Sequence, residues 1–544
     1  MVRVGRRAIL AGFLAACSSG ESDVPPKPAA SGSAGAGPQP VPAPGTVARP
    51  TELRATGVVA DPQHAHDLLK DSYGFALLSG RSWCASALAW LSLPMQTVDT
   101  FDERAPLRLA ALELPAGATA WLVAVALRAP DRFLAACTLG SSAPFRGRRD
   151  DAAGLDWLTP EHPEGRPALA LGVARNHLVI GSSAAALTSA AAYLADPGAA
   201  RGAASPASGA LMTATSDVAL LDRAMTELAT KLAPPGLDPS SLLEGGALTD
   251  ALAGASSAEL SLVADAASWS LELRGAAKAG ASAREHGSRA ALLEVPADTT
   301  AAAVWFEDEA SRVESAKRGV AWLQSSKLLG SAADETARAL AELGAARGAA
   351  ARIGLTRANV GWVAHAAIEL KESEKAEAAL DALGKALETD APGGVVTPKV
   401  TLEKTVIERL GEARKLRVER GEKAVAALVL RVDGGRLWIG AGAAPVDVLR
   451  ELAARPMPLA SIARLAKLAE ALPERVSRAA VVDPVTLLAP AGPGASAGPA
   501  GALFVATSVD GAAARIVAAG DAPALLAIAG RALVTPSPLG GGVK

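Results

Sequence analysis

Two stretches of this chain repeat one pattern: Ala168–Gly181 reads ALALGVARNHLVIG, and Ala427–Gly440 reads ALVLRVDGGRLWIG. They align without a gap and are identical at seven of the fourteen positions. In each stretch two runs of β-favouring residues flank a turn sequence, Arg175-Asn176 in the first and Asp433-Gly434-Gly435 in the second. This arrangement predicts a β-hairpin at each place.

The pattern within each hairpin also predicts which side of the sheet is buried. Alternate residues of a strand share a side, so Leu178 and Ile180 should point to one face, and Leu437 should occupy the same place in the second hairpin. We expect this face to be covered by helices. The shared glycines, Gly181 and Gly440, should end the second strand and release the chain into a helix.

The flanking sequence continues the parallel on both sides. Helical patterns follow the hairpins, over Ser182–Ala195 and Pro445–Ala454. Upstream, Val125–Arg128 and Ile368–Lys371 each read as a strand that leads to a helix. In the second copy that helix has an apolar stripe at helical spacing, formed by Ala376, Leu380, Leu383 and Leu387.

Downstream, each copy has a strand ending in an aspartate that suits a helix start, Asp217 in the first and Asp483 in the second. Both copies close on alternating runs, Glu259–Leu273 and Leu503–Val517. The prediction is an α+β protein with two tandem related modules, each an antiparallel sheet with helices packed on one face.

The predicted modules span residues 51–285 and 290–535, and residues 536–544 form a flexible tail. A helical insertion is expected in the second module near residues 308–345. Its predicted apolar stripe consists of Ala310, Val313, Val320 and Leu323.

The first residues read as a secretory signal, with a basic head at Met1–Arg7, an apolar run at Ala8–Ala16, and then Cys17. The apolar run is shorter than the roughly 20 residues needed to cross a bilayer. Residues 1–16 are therefore predicted to be a signal peptide. The pair Arg6-Arg7 loosely resembles a twin-arginine signal, so both general and twin-arginine export stay open.

Leu14-Ala15-Ala16-Cys17 resembles the lipobox of bacterial lipoproteins. The resemblance covers this segment alone and implies lipidation of Cys17 with three acyl chains, which is enough for stable membrane anchoring. Ser18 follows where an aspartate would signal retention, so the resemblance implies the outer membrane, facing the periplasm or the cell surface. Residues 17–50 are rich in Pro, Ala, Gly and Ser and are predicted to form a disordered tether.

Composition limits the classes of function. Lys plus Arg number 54 and Asp plus Glu 56, which gives no electrostatic reason to expect a nucleic-acid partner. Half the residues are hydrophobic but only 3% are aromatic, so platforms for stacking bases are poorly supplied. Cys84 and Cys137 could pair in an oxidising compartment, or could be two buried thiols; we predict the disulfide.

Three strings resemble catalytic or binding motifs but lack the context that those motifs require. Ser496 sits in the nucleophile-elbow string Gly494–Gly498, but prolines surround it. Gly440–Pro445 resembles a dinucleotide loop, but it follows a hairpin rather than a parallel strand. His64 and His66 are two apart, so on a helix their imidazoles diverge. No catalytic, metal or cofactor residue is assigned.

The body resembles, through Pro296–Thr299 (PADT) and the Leu-Val-Ile-Gly hairpin, a family of exported bacterial proteins without a known activity. We expect a membrane-anchored envelope lipoprotein that serves as a non-enzymatic binding or scaffold module. Its partners would be the membrane, through the lipid, and a protein or apolar ligand. The alternatives are a periplasmic carrier of an apolar ligand, and an enzyme whose site is assembled from distant residues.

Overall fold

The computed structural model describes most of the chain after residue 46. The described residues are 47–72, 82–115, 118–140, 143–163, 169–196, 209–223, 252, 255–277, 285–325, 333–358, 361–389, 399–407, 410–420, 423–442, 445–454, 457–488 and 500–534. They form two compact units. Of these residues, those between 47 and 223 and between 255 and 276 belong to the N-terminal unit, and residue 252 and those between 277 and 534 belong to the C-terminal unit. Helices and antiparallel strands occur in both, which confirms the α+β prediction.

The N-terminal unit has ten described strands. They are β1 (Leu53–Val59), β2 (Leu107–Glu113), β3 (Thr119–Ala126), β4 (Phe145–Asp150), β5 (Leu155–Pro160), β6 (Ala170–Ala174), β7 (His177–Gly181), β8 (Met212–Asp217), β9 (Ser257–Ala264) and β10 (Ser268–Ala276). Its main helices are α1 (Pro62–Asp67), α2 (Trp83–Leu91), α3 (Pro130–Thr138) and α4 (Ala184–Leu194). The strands pair antiparallel in the order β4-β5-β6-β7-β3-β2-β1-β8-β9-β10.

The C-terminal unit has a second antiparallel sheet. Its strands are β12 (Ala301–Phe306), β13 (Arg347–Ala358), β14 (Gly361–Leu370), β15 (Lys399–Ile407), β16 (Gly411–Arg420), β17 (Lys423–Asp433), β18 (Arg436–Gly442), β20 (Arg478–Val482), β21 (Leu503–Asp510) and β22 (Ala513–Asp521). The pairing order is β15-β16-β17-β18-β14-β13-β12-β20-β21-β22. Two short strands, β11 (Gly287–Ser288) and β19 (Arg475–Val476), pair separately.

Eight described helices accompany this second sheet. They are α5 (Ala290–Leu293), α6 (Glu309–Ser325), α7 (Ala333–Ala345), α8 (Ser373–Thr389), α9 (Pro445–Ala453), α10 (Ala463–Ala469), α11 (Pro484–Leu488) and α12 (Ala522–Val534). The predicted stripe on α8 is confirmed, since its four residues are at most 5% exposed. The structure also confirms the predicted aspartate-led starts, because helical residues follow Asp217 directly and α11 follows Asp483.

Both predicted hairpins are present, as β6–β7 and β17–β18. The second turns through Gly434 and Gly435, which have φ of 58° and 72°, the left-handed region that glycine enters without strain. Gly181 ends β7 as predicted, but β18 continues past Gly440 to Gly442. Leu178 and Leu437 are each 1% exposed, so the predicted buried face is confirmed.

The helices of the N-terminal unit cover both faces of its sheet, so the prediction of one covered face is wrong. Leu178 and Ile180 pack in a cluster with Phe133 of α3. Val179, which lies between them and points the other way, packs in a different cluster with Leu187 of α4. The reason is visible in β7, because every one of its residues is buried and its two faces carry apolar side chains, Leu178 and Ile180 on one and Val179 on the other.

The C-terminal sheet is also covered on both faces. Leu437 packs with Leu380 of α8. Val429 lies on the opposite face and packs with Leu449 of α9. Farther along that second face, another cluster joins β12 and β21 to α5 and α10.

The helices predicted as an insertion near 308–345 are present as α6 and α7. Helices also occupy the connection between β1 and β2, so this feature is not peculiar to the second sheet. The predicted stripe on α6 is wrong at Ala310 and Val313, which are exposed. Arg312 is buried in their place, because its guanidinium bonds the backbone carbonyl of Glu307.

No helix in the described part of the chain combines the length and the apolar character needed to cross a bilayer.

Candidate functional site

Several residues that the sequence singled out lie outside the described residues. They are Cys17, the signal segment 1–16, the tether up to residue 46, Ser496 and the tail 536–544.

Cys84 and Cys137 are free thiols, so the predicted disulfide is wrong for this structure. Cys84 lies on α2 and Cys137 on α3, and both are fully buried in one apolar cluster. Burial raises the pKa of the Cys137 thiol to about 12 and also holds the pKa of Cys84 well above its ordinary value. Because the thiolate is the reactive form, both residues act as apolar core side chains.

The histidine pair on α1 diverges as the sequence predicted. His64 is exposed, whereas His66 is buried. The carboxylate of Asp61 accepts the His64 backbone N–H at 2.9 Å and so caps the helix. Among the described residues, no group of three or more His, Cys, Asp and Glu side chains is arranged to hold a metal ion.

His66 instead belongs to a serine–histidine–aspartate chain that the sequence analysis missed. Its Nε2 lies 3.0 Å from Ser86 Oγ on α2, and its Nδ1 lies 3.0 Å from Asp67 Oδ1. Gln63 also donates to the Asp67 carboxylate, at 2.8 Å. Both hydrogen bonds lower the pKa of Asp67. Ser86 is 20 residues from His66, and no local motif links them.

The exposure of these three residues argues against a nucleophilic role. A nucleophile must reach its substrate, but Ser86 is only 6% exposed and the side chain of His66 only 3%. Solvent reaches the opposite end of the chain, because the side chain of Asp67 is 47% exposed. Catalytic triads have the reverse order, with a buried aspartate and an accessible serine. The arrangement therefore fastens α1 to α2.

A second group of polar residues lies on one face of the C-terminal sheet. It consists of Arg352 on β13, His365 on β14, and Arg436 and Trp438 on β18, and we call it the polar strip. The guanidinium carbons of Arg352 and Arg436 lie 5.7 and 5.9 Å from the centre of the Trp438 ring. Arg352 reaches Trp438 across Ala367, which pairs with both residues. Each cation is attracted by the electron-rich indole face.

His365 extends the polar strip inward. It pairs with Gly354 on one side and Gly440 on the other, so it shares a face with Arg352 and Trp438. Its ring lies over Gly354, where a Cβ would fall 2.3 Å from the imidazole. His365 is 4% exposed, and its Nε2 has no hydrogen-bond partner in the described part of the chain. Burial and the charge of Arg352 lower its pKa to about 4, so the ring is neutral at pH 7.

The nearby carboxylates leave Arg436 without a partner. Glu369 and Asp433 pair with Arg436 across the strands, but Glu369 accepts the Ala350 N–H at 3.0 Å and Asp433 binds Arg431 at 3.0 Å. Arg436 itself is exposed and has neither a hydrogen bond nor an ion pair within the described residues.

Arg352 is only partly neutralised. Its one carboxylate contact is with Glu294, at 3.3 Å, and the side chain of Glu294 is 60% exposed. Burial and the charge of Arg436 lower the pKa of Arg352, and Glu294 offsets part of this effect. Two guanidinium groups therefore converge on one indole, and among the described residues the exposed Glu294 is the one carboxylate that contacts either of them.

A buried ion pair lies at the start of α6 in the C-terminal unit. Glu307 bonds Arg347 at 3.1 Å, and both side chains are at most 6% exposed. Burial raises the pKa of Glu307, while the arginines 347, 478 and 312 act in the opposite direction. The carboxylate is enclosed by these partners, so it ties β12, α6 and β13 together.

No family model, curated protein or solved structure matches this chain.

Proposed function

We propose that the two units are copies of one fold. The support is the pairing order of the ten main strands, which is the same in both sheets when β1 is equated with β12, β3 with β14, and β7 with β18. Within the hairpins, Ala170 lies opposite Gly181, and Val429 opposite Gly440. These partners are equivalent in the ungapped sequence alignment, as are the four further pairs that follow them.

The equivalence extends beyond the hairpins. On β3, Val125 lies opposite Leu178, and on β14 Ile368 lies opposite Leu437. Val125 and Ile368 are also the first residues of the two upstream stretches that match in sequence. β1 and β12 also each pair with a strand that leads into the helix-starting aspartate: β8 ends at Asp217, and β20 ends one residue before Asp483.

We infer that the chain is a lipid-anchored envelope protein whose body binds a ligand without transforming it. The observation that carries this inference is that two positions of the polar strip, Trp438 and His365, are apolar core in the other copy. Val179 corresponds to Trp438, and Leu122 corresponds to His365. Leu122 and Val179 are at most 1% exposed and lie in the apolar cluster under α4.

Burying polar groups at such positions costs free energy unless they are hydrogen-bonded, by about 1–3 kcal/mol for each group. A scaffold needs only the packing that the N-terminal unit already has. Replacing that packing with His365, whose Nε2 has no hydrogen-bond partner in the described part of the chain, therefore supports recognition. In the hydrogen-bonded group Ser86–His66–Asp67 the serine is buried and the aspartate exposed, the reverse of a catalytic triad. This group therefore gives no support to the enzymatic alternative.

The membrane half of the proposal rests on the lipobox-like segment and is tested at Cys17. Cys17→Ser should move the protein to the soluble fraction or leave the precursor uncleaved, because the thiol that accepts the lipid is gone. Ser18→Ala is the matched control and should stay in the membrane fraction. A Cys17→Ser protein that matures and sediments with membranes until detergent is added would contradict the anchor.

A further inference from the structure

We propose that the polar strip of the C-terminal unit binds the oxyanion group of a ligand, a carboxylate or a phosphate. This inference deepens the proposed binding function and rests on it. The geometry points to an anion because Arg352 and Arg436 converge on Trp438, with Arg436 at the exposed end and His365 at the buried end.

Three donors in the strip have unused capacity. Arg436 makes no hydrogen bond or ion pair among the described residues, and Arg352 has one carboxylate contact, at 3.3 Å. His365 is nine-tenths buried, and its Nε2 lacks a partner there. A neutral imidazole carries one N–H, which can be on Nε2, and a guanidinium offers five donors in a fixed fork. An oxyanion uses donors of both kinds.

The charges around the strip favour an anion over a cation. Among the described residues, Glu369 accepts the Ala350 N–H, Asp433 binds Arg431 and Glu294 binds Arg352, so none of these carboxylates contacts both guanidinium groups of the strip. The two guanidinium groups have no shared counter-ion. An oxyanion held between them would relieve their repulsion and make charge-assisted hydrogen bonds, which are about twice as strong as neutral ones. Trp438 supplies a flat apolar wall beside that position.

Titration calorimetry of the full chain in detergent tests the proposal, with inorganic phosphate in one series and acetate in another. Arg436→Gln is the principal variant, since Arg436 is exposed and its loss leaves the core intact. Arg148→Gln is the matched control, because Arg148 is an exposed arginine on β4 of the other unit. We expect R436Q to weaken binding about 10-fold or more and R148Q to match the parent protein.

A second variant tests the buried end of the strip. His365→Gln keeps a hydrogen-bond donor and should retain most of the affinity, whereas His365→Leu, the side chain of the equivalent Leu122, should lower it about 10-fold. Circular dichroism checks that each variant is folded. Binding of phosphate alone assigns the phosphate class, and binding of acetate assigns the carboxylate class.

Two results would overturn the proposal: neither anion binds the parent protein, or R436Q and R148Q bind equally well. Either result leaves the membrane anchor intact, because the fractionation of the Cys17→Ser variant does not depend on the strip. Failure of the anchor and failure of the oxyanion site are therefore distinguishable.

Discussion

Arg108 and Arg352 occupy the same place in the two sheets and are used in opposite ways. Each lies across the strands from an alanine, Ala124 for Arg108 and Ala367 for Arg352. Arg108 donates to the backbone carbonyls of Leu194 and Asp196, at 3.0 and 2.8 Å, and so closes the end of α4. Arg352 instead lies beside Trp438 and contacts the exposed Glu294.

The difference separates an arginine that stabilises a helix end from one that serves the recognition proposed above. In the N-terminal unit the arginine is satisfied by the free carbonyls that every helix leaves at its C-terminus. In the C-terminal unit an aromatic side chain stands where the first sheet has Val179, and the arginine keeps donors unused. The four predictions that follow test this contrast, from the largest expected effect to the smallest.

The shared apolar face should respond alike in both units. Leu178→Ala and Leu437→Ala each remove a side chain that is 1% exposed from the middle of a core cluster. Each should lower the free energy of unfolding by about 2–5 kcal/mol, since a cavity is left in a packed interior. Urea unfolding followed by circular dichroism measures the loss. A small loss for one variant beside a large loss for the other would contradict the equivalence of the two hairpins.

Acid should destabilise both units through one buried histidine each. Burial lowers the pKa of His177 and of His365 to about 4, with nearby arginines adding to the effect. An unfolded histidine has a pKa near 6.5, so below that pH the unfolded chain takes up protons that the folded chain refuses. Stability should therefore fall as the pH drops from about 6.5 to 4, by up to about 3 kcal/mol for each residue.

Urea midpoints measured between pH 7 and 4 check this prediction. His177→Gln and His365→Gln should each flatten the dependence on pH, because the titrating ring is removed. His64→Gln is the control, since His64 is exposed, and it should leave the profile unchanged. An equally flat profile for the control variant would refute the assignment.

The arginine contrast itself can be separated by paired substitutions. Arg108→Gln should cost about 1–3 kcal/mol of stability, because two helix-end carbonyls lose a charged donor. Arg352→Gln should cost less, about 1 kcal/mol, but should weaken phosphate binding about 10-fold. Urea unfolding and calorimetry, run on both variants, provide the measurements. If R352Q were the more destabilising variant and bound phosphate as well as the parent protein does, Arg352 would have a structural role and the proposed contrast with Arg108 would be wrong.

The smallest effect is expected at the fastening of α1 to α2. Ser86→Ala removes the partner of His66 Nε2 and should cost about 1 kcal/mol, the net value of one hydrogen bond. Gln63→Ala removes two hydrogen bonds, the one donated to Asp67 and the one accepted from the Trp83 backbone N–H at 3.1 Å, so it should cost more and serves as the comparison. Urea unfolding measures both. A loss of ester hydrolysis in the serine variant would show that the chain is catalytic after all.

Much of the fold could be predicted from the sequence because its signals are local. The hairpins carry turn residues between β-favouring runs, and the stripe on α8 has a regular helical spacing, so periodicity alone located both. The buried side of β7 was also predictable at Leu178. Its second buried side was not, because a strand that is apolar on both faces has no alternation from which to infer a covering helix.

The candidate site was much harder to predict. The hairpin alignment pairs Val179 with Trp438 and His177 with Arg436, so the sequence contained the divergence. Only the pairing of β18 with β14, and of β14 with β13, brings His365 and Arg352 beside them. Contacts of this kind join residues that are far apart in the chain, so the spacing of residues in the sequence does not predict them. The predicted buried stripe of α6 was wrong for a related reason. Arg312 is buried because it binds Glu307, and the helical period of apolar residues does not indicate such a contact.

The position of β1 in its sheet has a consequence for how the chain acquires its structure. β1 is the first of the described strands to be synthesised, yet it lies inside the sheet, with Ala55 opposite both Ala111 and Ser216. Half of its backbone partners are therefore synthesised long after it. The same holds for β12, because one of its two neighbours in the sheet is β20. Because loop closure over such distances slows folding, each half of the protein must emerge almost whole before it can close. Until then, the backbone N–H and C=O groups of β1 and β12 are unpaired and need shielding from other chains.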